Sequence, residues 1–125
     1  MKTTNLMIVG VGGQGSLLAS KLLGRLLVDE GFDVKVSEVH GMSQRGGSVV
    51  TYVRYGEKVY SPVVTDGEAD LIISFEKIEG ARYLKQLKSD GRIIVNTQQI
   101  DPMPVVTGAA EYPEAVLDEL IAKGV

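Results

Sequence analysis

The sequence has 125 residues, which is the size of one ordinary domain. Hydrophobic residues make up 44% and charged residues 23%, as in globular proteins and not as in disordered ones. The chain has no cysteine, which excludes a disulfide, a thiolate zinc site or an iron–sulfur cluster held by these residues. The net charge of −3 argues against a general nucleic-acid binder, and one histidine argues against a histidine-based metal site.

The apolar runs are too short to cross a bilayer, and the N-terminus has no secretory signal pattern. We therefore expect a cytoplasmic protein with neither a membrane nor a nucleic-acid partner.

The first half of the chain predicts a strand, a helix and a second strand. Asn5–Val9 is a short apolar run that ends at a glycine, which is typical of a strand buried on both faces. Phe32–Val39 is predicted to be the second strand. Between them, 16–30 is predicted to be a helix closed by Gly31, because apolar residues recur at helical spacing: Leu17, Leu18, Leu22, Leu26 and Val28.

The second half predicts an antiparallel hairpin followed by further alternation. The hairpin consists of Ser48–Val53 and Val59–Val64 around a turn at 54–58, with three tyrosines available for cross-strand pairs or a subunit contact: Tyr52, Tyr55 and Tyr60. A strand, a helix, a strand and an amphipathic helix are then predicted in this order: Ala69–Phe75, Ile78–Leu87, Arg92–Asn96 and Pro113–Lys123.

This order of elements predicts the fold class. Strands alternating with helices indicate a single α/β domain over 1–125, Rossmann-like and three-layered, with a largely parallel sheet and an antiparallel hairpin. The chain stops after a predicted helix, where a further strand is expected. Either the fold ends there or the domain is incomplete at its C-terminus, and we expect the second.

A glycine loop follows the first predicted strand and opens the first predicted helix. It fits the pattern G-x-G-x-x-G, and its candidate binding residues are Gly10, Gly12, Gly13, Gln14 and Gly15. Glycines let the backbone approach a phosphate, whose charge meets free N–H groups at the helix end. Two alternatives stay open: the glycines serve close packing alone, or they bind a dinucleotide with Glu38 as the ribose-binding acid.

A second polar loop follows the second predicted strand and should emerge at the same sheet edge. Arg45 is its only cation, and its further candidate binding residues are Ser43, Gln44, Gly46 and Gly47. His40 and Arg45 are candidates for a catalytic role, because histidine can titrate near neutral pH and arginine binds anions. The alternatives are an Arg45–Glu38 ion pair and a His40 side chain satisfied by backbone contacts.

The remaining charged residues have structural interpretations. The acids at 66, 68 and 70 lack the pattern of a calcium loop and are interpreted as a solvated turn, so no metal site is predicted. Glu76 and Glu79 are interpreted as stabilising a helix dipole, with contact to a partner as the second possibility. A solvated face is predicted for Lys85, Lys88 and Arg92.

At the two loops the sequence resembles the gamma-type domain of the 2-oxoacid:ferredoxin oxidoreductase family. The resemblance runs from about residue 5 to 102 and rests on 10–15, on 38–48 and on the later segments 60–62, 69–70 and 75–79. Glu76, Glu79 and the segment 81–84 favour the branch that acts on arylpyruvates such as indolepyruvate.

The resemblance implies a cytoplasmic subunit that is inactive in isolation. The whole enzyme would decarboxylate the 2-oxoacid oxidatively, form an acyl-coenzyme A and pass electrons to ferredoxin. Thiamine diphosphate and 4Fe–4S clusters are expected in a large partner subunit of a hetero-oligomer, with coenzyme A as co-substrate and no cofactor held by this chain alone. The alternatives are a stand-alone nicotinamide- or flavin-dependent reductase and a non-catalytic nucleotide-binding module.

Overall fold

The computed structural model describes residues 3–11, 15–40, 48–61, 64 and 66–96. Five strands, two helices and one 3-10 turn follow one another in this part: β1 (Thr4–Val11), α1 (Ser16–Asp29), β2 (Asp33–His40), β3 (Ser48–Gly56), β4 (Ala69–Ser74), α2 (Lys77–Arg82), the 3-10 turn (Leu84–Gln86) and β5 (Leu87–Val95). Within these residues no helix combines the length and the apolar character that crossing a bilayer requires. The predicted helix at Pro113–Lys123 lies outside the described residues.

The strands form one mixed sheet in the order β2-β3-β1-β4-β5. β1 pairs in parallel with β4, and β4 pairs in parallel with β5. β3 lies antiparallel to both of its neighbours, β1 and β2. The predicted α/β class with an antiparallel element is thus confirmed, although the antiparallel pairings are as many as the parallel ones.

Helices cover the two faces of the sheet and create two cores. On one face, Leu23 and Leu27 of α1 pack on a buried cluster of the sheet made by Leu6, Ile8 and Val53. On the other face, Tyr83 at the end of α2 packs on a second cluster with Met7, Val9 and Ile72 among its members. Because successive strand residues alternate between faces, β1 contributes to both cores, and this gives the three layers.

The predicted hairpin is wrong, because β3 has no free edge at which a second strand could pair. β1 and β2 occupy both edges of β3. The chain beyond Gly56 is instead held by side chains: the Val59 backbone N–H donates to Asp33 Oδ2 at 2.8 Å, and Arg54 Nη1 donates to the Ser61 carbonyl at 2.7 Å. The antiparallel hairpin is formed by β2 and β3, around 41–47.

The tyrosines do not form the predicted cross-strand pairs, because the hairpin that would pair them is absent from the described residues. Tyr52 and Tyr55 lie on one strand and face opposite cores. Tyr55 makes an edge-to-face contact with Phe32, with ring centroids 5.1 Å apart. Tyr60 lies outside the strand and is exposed, with Lys58 Nζ 6.0 Å from its ring centroid.

Two further boundaries differ from prediction. The helix expected at Ile78–Leu87 ends at Arg82 and is continued only by the 3-10 turn, while β5 begins at Leu87, five residues before the predicted Arg92. The ladder between β4 and β5 explains the earlier start, because Leu87 already pairs with Ala69 before the register shifts. Backbone pairing across the sheet therefore outweighs the helical spacing of the sequence.

The buried side of α1 also differs from the predicted apolar stripe. Ser20 and Gly24 are buried against the sheet, with Leu23 and Leu27 partly buried beside them. The described residues of the stripe are all more than half exposed: Leu18, Leu22, Leu26 and Val28. Small residues thus occupy the most buried positions of the helix, and at Gly24 a Cβ would lie at an ordinary van der Waals distance from the sheet, 3.5 Å from Val36 Cγ2.

Lys85 and Arg92 of the predicted solvated face are exposed, whereas Lys88 and two of the three acids predicted to form a solvated turn make contacts within the protein. Asp70 accepts a 2.8 Å hydrogen bond from the Asn5 backbone N–H and pairs with Lys88 Nζ at 3.3 Å, so both are half-buried. Asp66 accepts a hydrogen bond from Gln86 Nε2. Of the three acids, only Glu68 has a side chain that is exposed and has no described hydrogen bond or ion pair. Its backbone carbonyl accepts a hydrogen bond from Asn5 Nδ2.

Candidate functional site

The described ends of the two predicted loops meet at one edge of the sheet, which we call the carboxyl edge. β1 ends at Val11, which pairs with Ser48 at the start of β3. β2 ends at His40, which pairs with Val49. Paired residues in antiparallel strands have Cα atoms about 4.5–5.5 Å apart. The segments 12–14 and 41–47 therefore begin or end at neighbouring positions of the same edge.

The amino end of α1 lies at this edge and has an electropositive character. Gly15 precedes the helix with φ +85°, a backbone conformation that favours glycine, and its carbonyl accepts from the Ala19 N–H at 3.0 Å. No side chain of the described residues caps this end, and no acid lies in the first helical turn. The first amides and the helix dipole thus favour an anionic group near the glycine loop.

Backbone hydrogen bonds join the ends of β1, β4 and β5, and α2 packs closely on the last residue of β4. The Phe75 N–H donates to the Val9 carbonyl at 2.9 Å, and the Asn96 N–H donates to the Ser74 carbonyl at 2.8 Å. Gly80 permits this approach, because a Cβ there would be only 3.1 Å from Ser74 Cβ and Oγ. The ends of β1, β4 and β5 are thereby locked to one another beside the two loops.

Two buried glutamates form the polar centre of the described carboxyl edge. Glu76 is the residue before α2, and its Oε1 accepts from the Glu79 N–H at 3.0 Å. Glu79 Oε2 accepts from Ser48 Oγ at 2.7 Å and pairs with Arg82 Nε at 3.3 Å. Only 1% of Glu76 and 5% of Glu79 is exposed. Glu79 therefore joins α2 to the residue at which the second loop ends.

The environment of Glu79 opposes its ionisation. Burial raises the pKa of the Glu79 carboxyl above its ordinary value of 4.5, while the hydrogen bond from Ser48 and the charge of Arg82 act against the rise, and the nearby Glu76 adds to it. Burial likewise raises the pKa of the Tyr83 phenol, with the charge of Glu79 as the second cause. The cluster is thus an acidic site of low hydration, beside a helix end that favours anions.

A pH dependence of stability follows from the raised pKa of Glu79. Between pH 4.5 and the folded-state pKa, the folded protein holds a proton that the unfolded chain releases, so the contribution of Glu79 to stability falls as pH rises. We expect the unfolding free energy of wild type minus that of Glu79→Gln to decrease between pH 4 and pH 7. Urea unfolding at each pH measures this difference, and a difference that increases with pH would contradict the assignment.

The structure describes only part of the predicted binding residues. Gly10 lies in β1 opposite Val49, and Gly15 precedes α1. His40 is the last residue of β2. The other candidates lie outside the described residues: Gly12, Gly13, Gln14, Ser43, Gln44, Arg45, Gly46 and Gly47.

The position of Glu38 does not support its alternative role as a ribose-binding acid. β3 lies between β1 and β2, so Glu38 is two strand positions away from the strand that carries the glycine loop. Two strand spacings correspond to about 10 Å. A ribose-binding acid normally follows the strand beside the glycine loop, and this strand order removes that proximity.

Sequence reasoning missed the contact between Ser48 and Glu79 and the close approach of Gly80 to Ser74. The side chain of Glu76 caps the amino end of α2, which is consistent with the predicted stabilisation of a helix end. The sequence contains a pattern for this cap, because Glu76 stands three residues before Glu79, as in a capping box. The link between Ser48 and Glu79 spans 31 residues, and no local pattern indicates it.

The fold and this edge define a Rossmann-like α/β domain whose carboxyl edge carries the residues that flank the two loops, together with two buried acids. Residues 5–120 match the family described as pyruvate ferredoxin/flavodoxin oxidoreductase. The chain therefore belongs to the pyruvate ferredoxin/flavodoxin oxidoreductase family, which confirms the resemblance found in the sequence.

The curated relatives with 50% identity or more to this chain are named as indolepyruvate oxidoreductase subunits. The chain is 51% identical to subunit IorB of Thermococcus kodakarensis over 96% of this chain and 58% of that protein. It is 50% identical to subunit IorB of Pyrococcus horikoshii over 90% of this chain and 56% of that protein. Identity to the pyruvate/ketoisovalerate oxidoreductases common subunit gamma of Pyrococcus abyssi is 30%, over 72% of this chain and 50% of that protein. The chain thus spans a little over half the length of the IorB relatives.

Solved structures share the fold. The pyruvate oxidoreductase subunit PORC of Thermotoga maritima matches with a TM-score of 0.64 at 20% identity, over 90% of this chain and 58% of that one. A 2-oxoglutarate:ferredoxin oxidoreductase of Magnetococcus marinus matches with a TM-score of 0.67 at 17% identity, over 91% of this chain and 19% of that one. The second match places this fold within a much longer chain.

Proposed function

We propose that this chain is the non-cofactor subunit of an arylpyruvate:ferredoxin oxidoreductase, with indolepyruvate as the substrate type. The observation that carries the proposal is the difference in identity: 51% to an indolepyruvate oxidoreductase subunit against 30% to a pyruvate/ketoisovalerate subunit. The enzyme breaks the bond between the carboxylate and the carbonyl carbon, releases CO₂ and joins the acyl group to the sulfur of coenzyme A. Two electrons pass to ferredoxin and one proton is released.

The cofactors of this reaction belong to the partner in our proposal. A 4Fe–4S cluster requires thiolate ligands, and these 125 residues contain no cysteine, so the chain does not fit a cluster. Among the described residues no three metal-ligating side chains come together that could hold the cation bound with thiamine diphosphate. We assign both cofactors to a large partner subunit in a cytoplasmic hetero-oligomer.

The role we assign to this chain is to complete the active site and to position an anionic group. The amino end of α1 favours an anion, and both loops begin or end beside it. The candidate residues of the loops would contact a phosphate group of coenzyme A, a substrate carboxylate or the surface of the large subunit, with Arg45 as the cation and His40 as the proton donor. Glu79 acts as a positioning residue, because it fixes Ser48 at the end of the second loop.

Reconstitution tests the proposed function. We expect the chain to co-purify with a thiamine diphosphate- and cluster-bearing subunit encoded beside it, and the complex to reduce ferredoxin when indolepyruvate and coenzyme A are supplied. Each subunit alone should show no turnover. Pyruvate in place of indolepyruvate serves as the control for the substrate class. Tight binding of NADH to the isolated chain, weakened by Glu38→Ala, would support the reductase alternative instead.

A further inference from the structure

An open groove runs between α1 and the strand β2. It has a volume of about 490 Å³, and its apolar lining comes from Gly24 and Val28 of the helix and from Val34 and Val36 of the strand. Val28 is 55% exposed and Val36 is 45% exposed. Apolar surface is therefore open to solvent along both sides of the groove.

The strand beside the groove has a regular outer edge. In the described part of the chain, β2 is the outermost strand on this side of the sheet. All eight of its residues, Asp33–His40, pair with β3 without a bulge, and none is a proline. Of the features that usually keep an edge strand from pairing, β2 has only charged side chains, and two of them, Asp33 and Lys35, already pair with each other at 3.0 Å.

A second copy of β2 fits this edge by symmetry. Two identical antiparallel strands form a continuous sheet around a two-fold axis, and opposite residues then face the same side of the sheet. This alternation requires that the axis pass through one residue of the strand. Val36 lies in the groove and near the middle of β2. An axis at Val36 places the two valines opposite each other and places no two like charges opposite each other.

The same axis brings the two α1 helices together. α1 packs mainly on β2 and β3, and a Cβ at Gly24 would lie 3.5 Å from Val36 Cγ2, so the middle of the helix lies over the middle of the strand. Strands are about 4.8 Å apart, so a helix above β2 and β3 has its counterpart about 10 Å away. Packed helices are separated by about 8–10 Å. The two helices are therefore antiparallel neighbours that cross near Gly24, where the side chain is smallest.

The charges of α1 suit an antiparallel second copy. The helix has no acidic residue in its first turn and no basic residue in its last turn, where Asp29 opposes the helix dipole. For helices that cross at Gly24, Lys21 of one copy and Asp29 of the second copy lie within about 3 Å of each other along the helix axes. Lys21 lines the groove, and Asp29 already pairs with Arg25 at 3.5 Å, so the second copy would supply a second cation to this acid.

We infer that this chain forms a two-fold symmetric dimer, in which β2 of one copy pairs with β2 of the other around Val36. Val28 and Val36 of the second copy would fill the groove. The inference concerns a contact between copies of this chain, and it does not depend on the proposed function.

Cysteine cross-linking tests the dimer in the full chain, which contains no native cysteine. In Val36→Cys the two thiols lie opposite each other, with Cβ atoms about 4.5–5.5 Å apart. Because a disulfide joins Cβ atoms about 3.5–4.5 Å apart, we expect mild oxidation to convert most of the protein into a disulfide-linked dimer after a small adjustment of the strands. A non-reducing gel and mass spectrometry detect the product.

Val39→Cys is the matched control on the same strand. Val39 is 52% exposed against 45% for Val36, so random collisions between molecules would favour its oxidation. In the dimer the two copies of residue 39 are six strand positions apart, about 20 Å, and we expect their disulfide to form at least about tenfold more slowly. Equal rates for the two variants, or a faster rate for Val39→Cys, overturn the inference.

A charge substitution tests the same contact without thiols. Val36→Glu places two carboxylates at the axis, and we expect the dimer dissociation constant from sedimentation equilibrium to rise at least about tenfold. Val39→Glu should leave it unchanged, and circular dichroism establishes that both variants are folded. If Val36→Glu does not fold, the two cysteine variants decide.

A different occupant of the groove gives a different result. A wild-type chain that is monomeric at every concentration, with no disulfide-linked dimer of Val36→Cys, overturns the inference. If the Val36→Cys thiol then reacts freely with a maleimide in the isolated chain and is protected only in the complex with the large subunit, that subunit covers this edge instead of a second copy.

Discussion

Glu79→Ala is expected to lower the free energy of unfolding by about 2 kcal/mol at neutral pH. The substitution removes the acceptor of the Ser48 hydroxyl and one partner of Arg82, and it leaves a small cavity beside buried Glu76. The cost is moderated because the substitution also removes a buried carboxylate whose ionisation is disfavoured. Urea unfolding measures the change.

A double-mutant cycle isolates the contact itself. Ser48→Ala and Glu79→Ala, singly and together, should give a coupling energy of about 1 kcal/mol, because the two residues share a 2.7 Å hydrogen bond. Glu68→Ala removes an exposed carboxylate and serves as the control, with an expected change below about 0.5 kcal/mol. Additive single effects would show that Ser48 and Glu79 do not stabilise each other.

Arg45→Gln is expected to weaken the reconstituted enzyme at least about tenfold, either in its apparent KM for coenzyme A or in the affinity between subunits. This expectation rests on the proposed function: an arginine that binds an anionic group contributes about 1.5–3 kcal/mol, and about 1.4 kcal/mol corresponds to a factor of ten. Steady-state kinetics across coenzyme A concentrations and a subunit titration distinguish the two outcomes.

Lys58→Gln is the matched control for Arg45→Gln, because it removes the same charge at a distance. Lys58 follows the end of β3 that is opposite to Ser48, and β3 itself is about 27 Å long. It should leave turnover and assembly unchanged. If Arg45→Gln also leaves the KM, the turnover and the assembly unchanged, Arg45 has no functional role in this enzyme.

The buried acids change how the carboxyl edge is understood. The sequence predicts a phosphate-binding glycine loop and a second loop with the cation Arg45 at this edge, and the amino end of α1 agrees with the first of these. Glu76 and Glu79 add buried carboxyl groups between β3 and α2, and burial opposes the ionisation of Glu79.

Local sequence patterns determined the class of the fold, the helix after the glycine loop and the family. Gly15 lies before α1 and Gly31 after it, as predicted, and both have positive φ values that favour glycine. The motifs in the two loops identified the family, because they are short continuous segments that need no long-range information.

The tertiary structure alone decided the strand order, the buried side of α1 and the acidic cluster. The apolar run at 48–53 is equally compatible with a hairpin to either side, and only the pairing of β3 between β1 and β2 selects its partners. On α1 the small residues Ser20 and Gly24 are buried and the predicted leucine stripe is exposed, because the packing of the helix on the strands, and not its periodicity alone, selects the buried side. Ser48 and Glu79 meet because strand pairing brings together residues that are far apart in the sequence and that no local spacing relates.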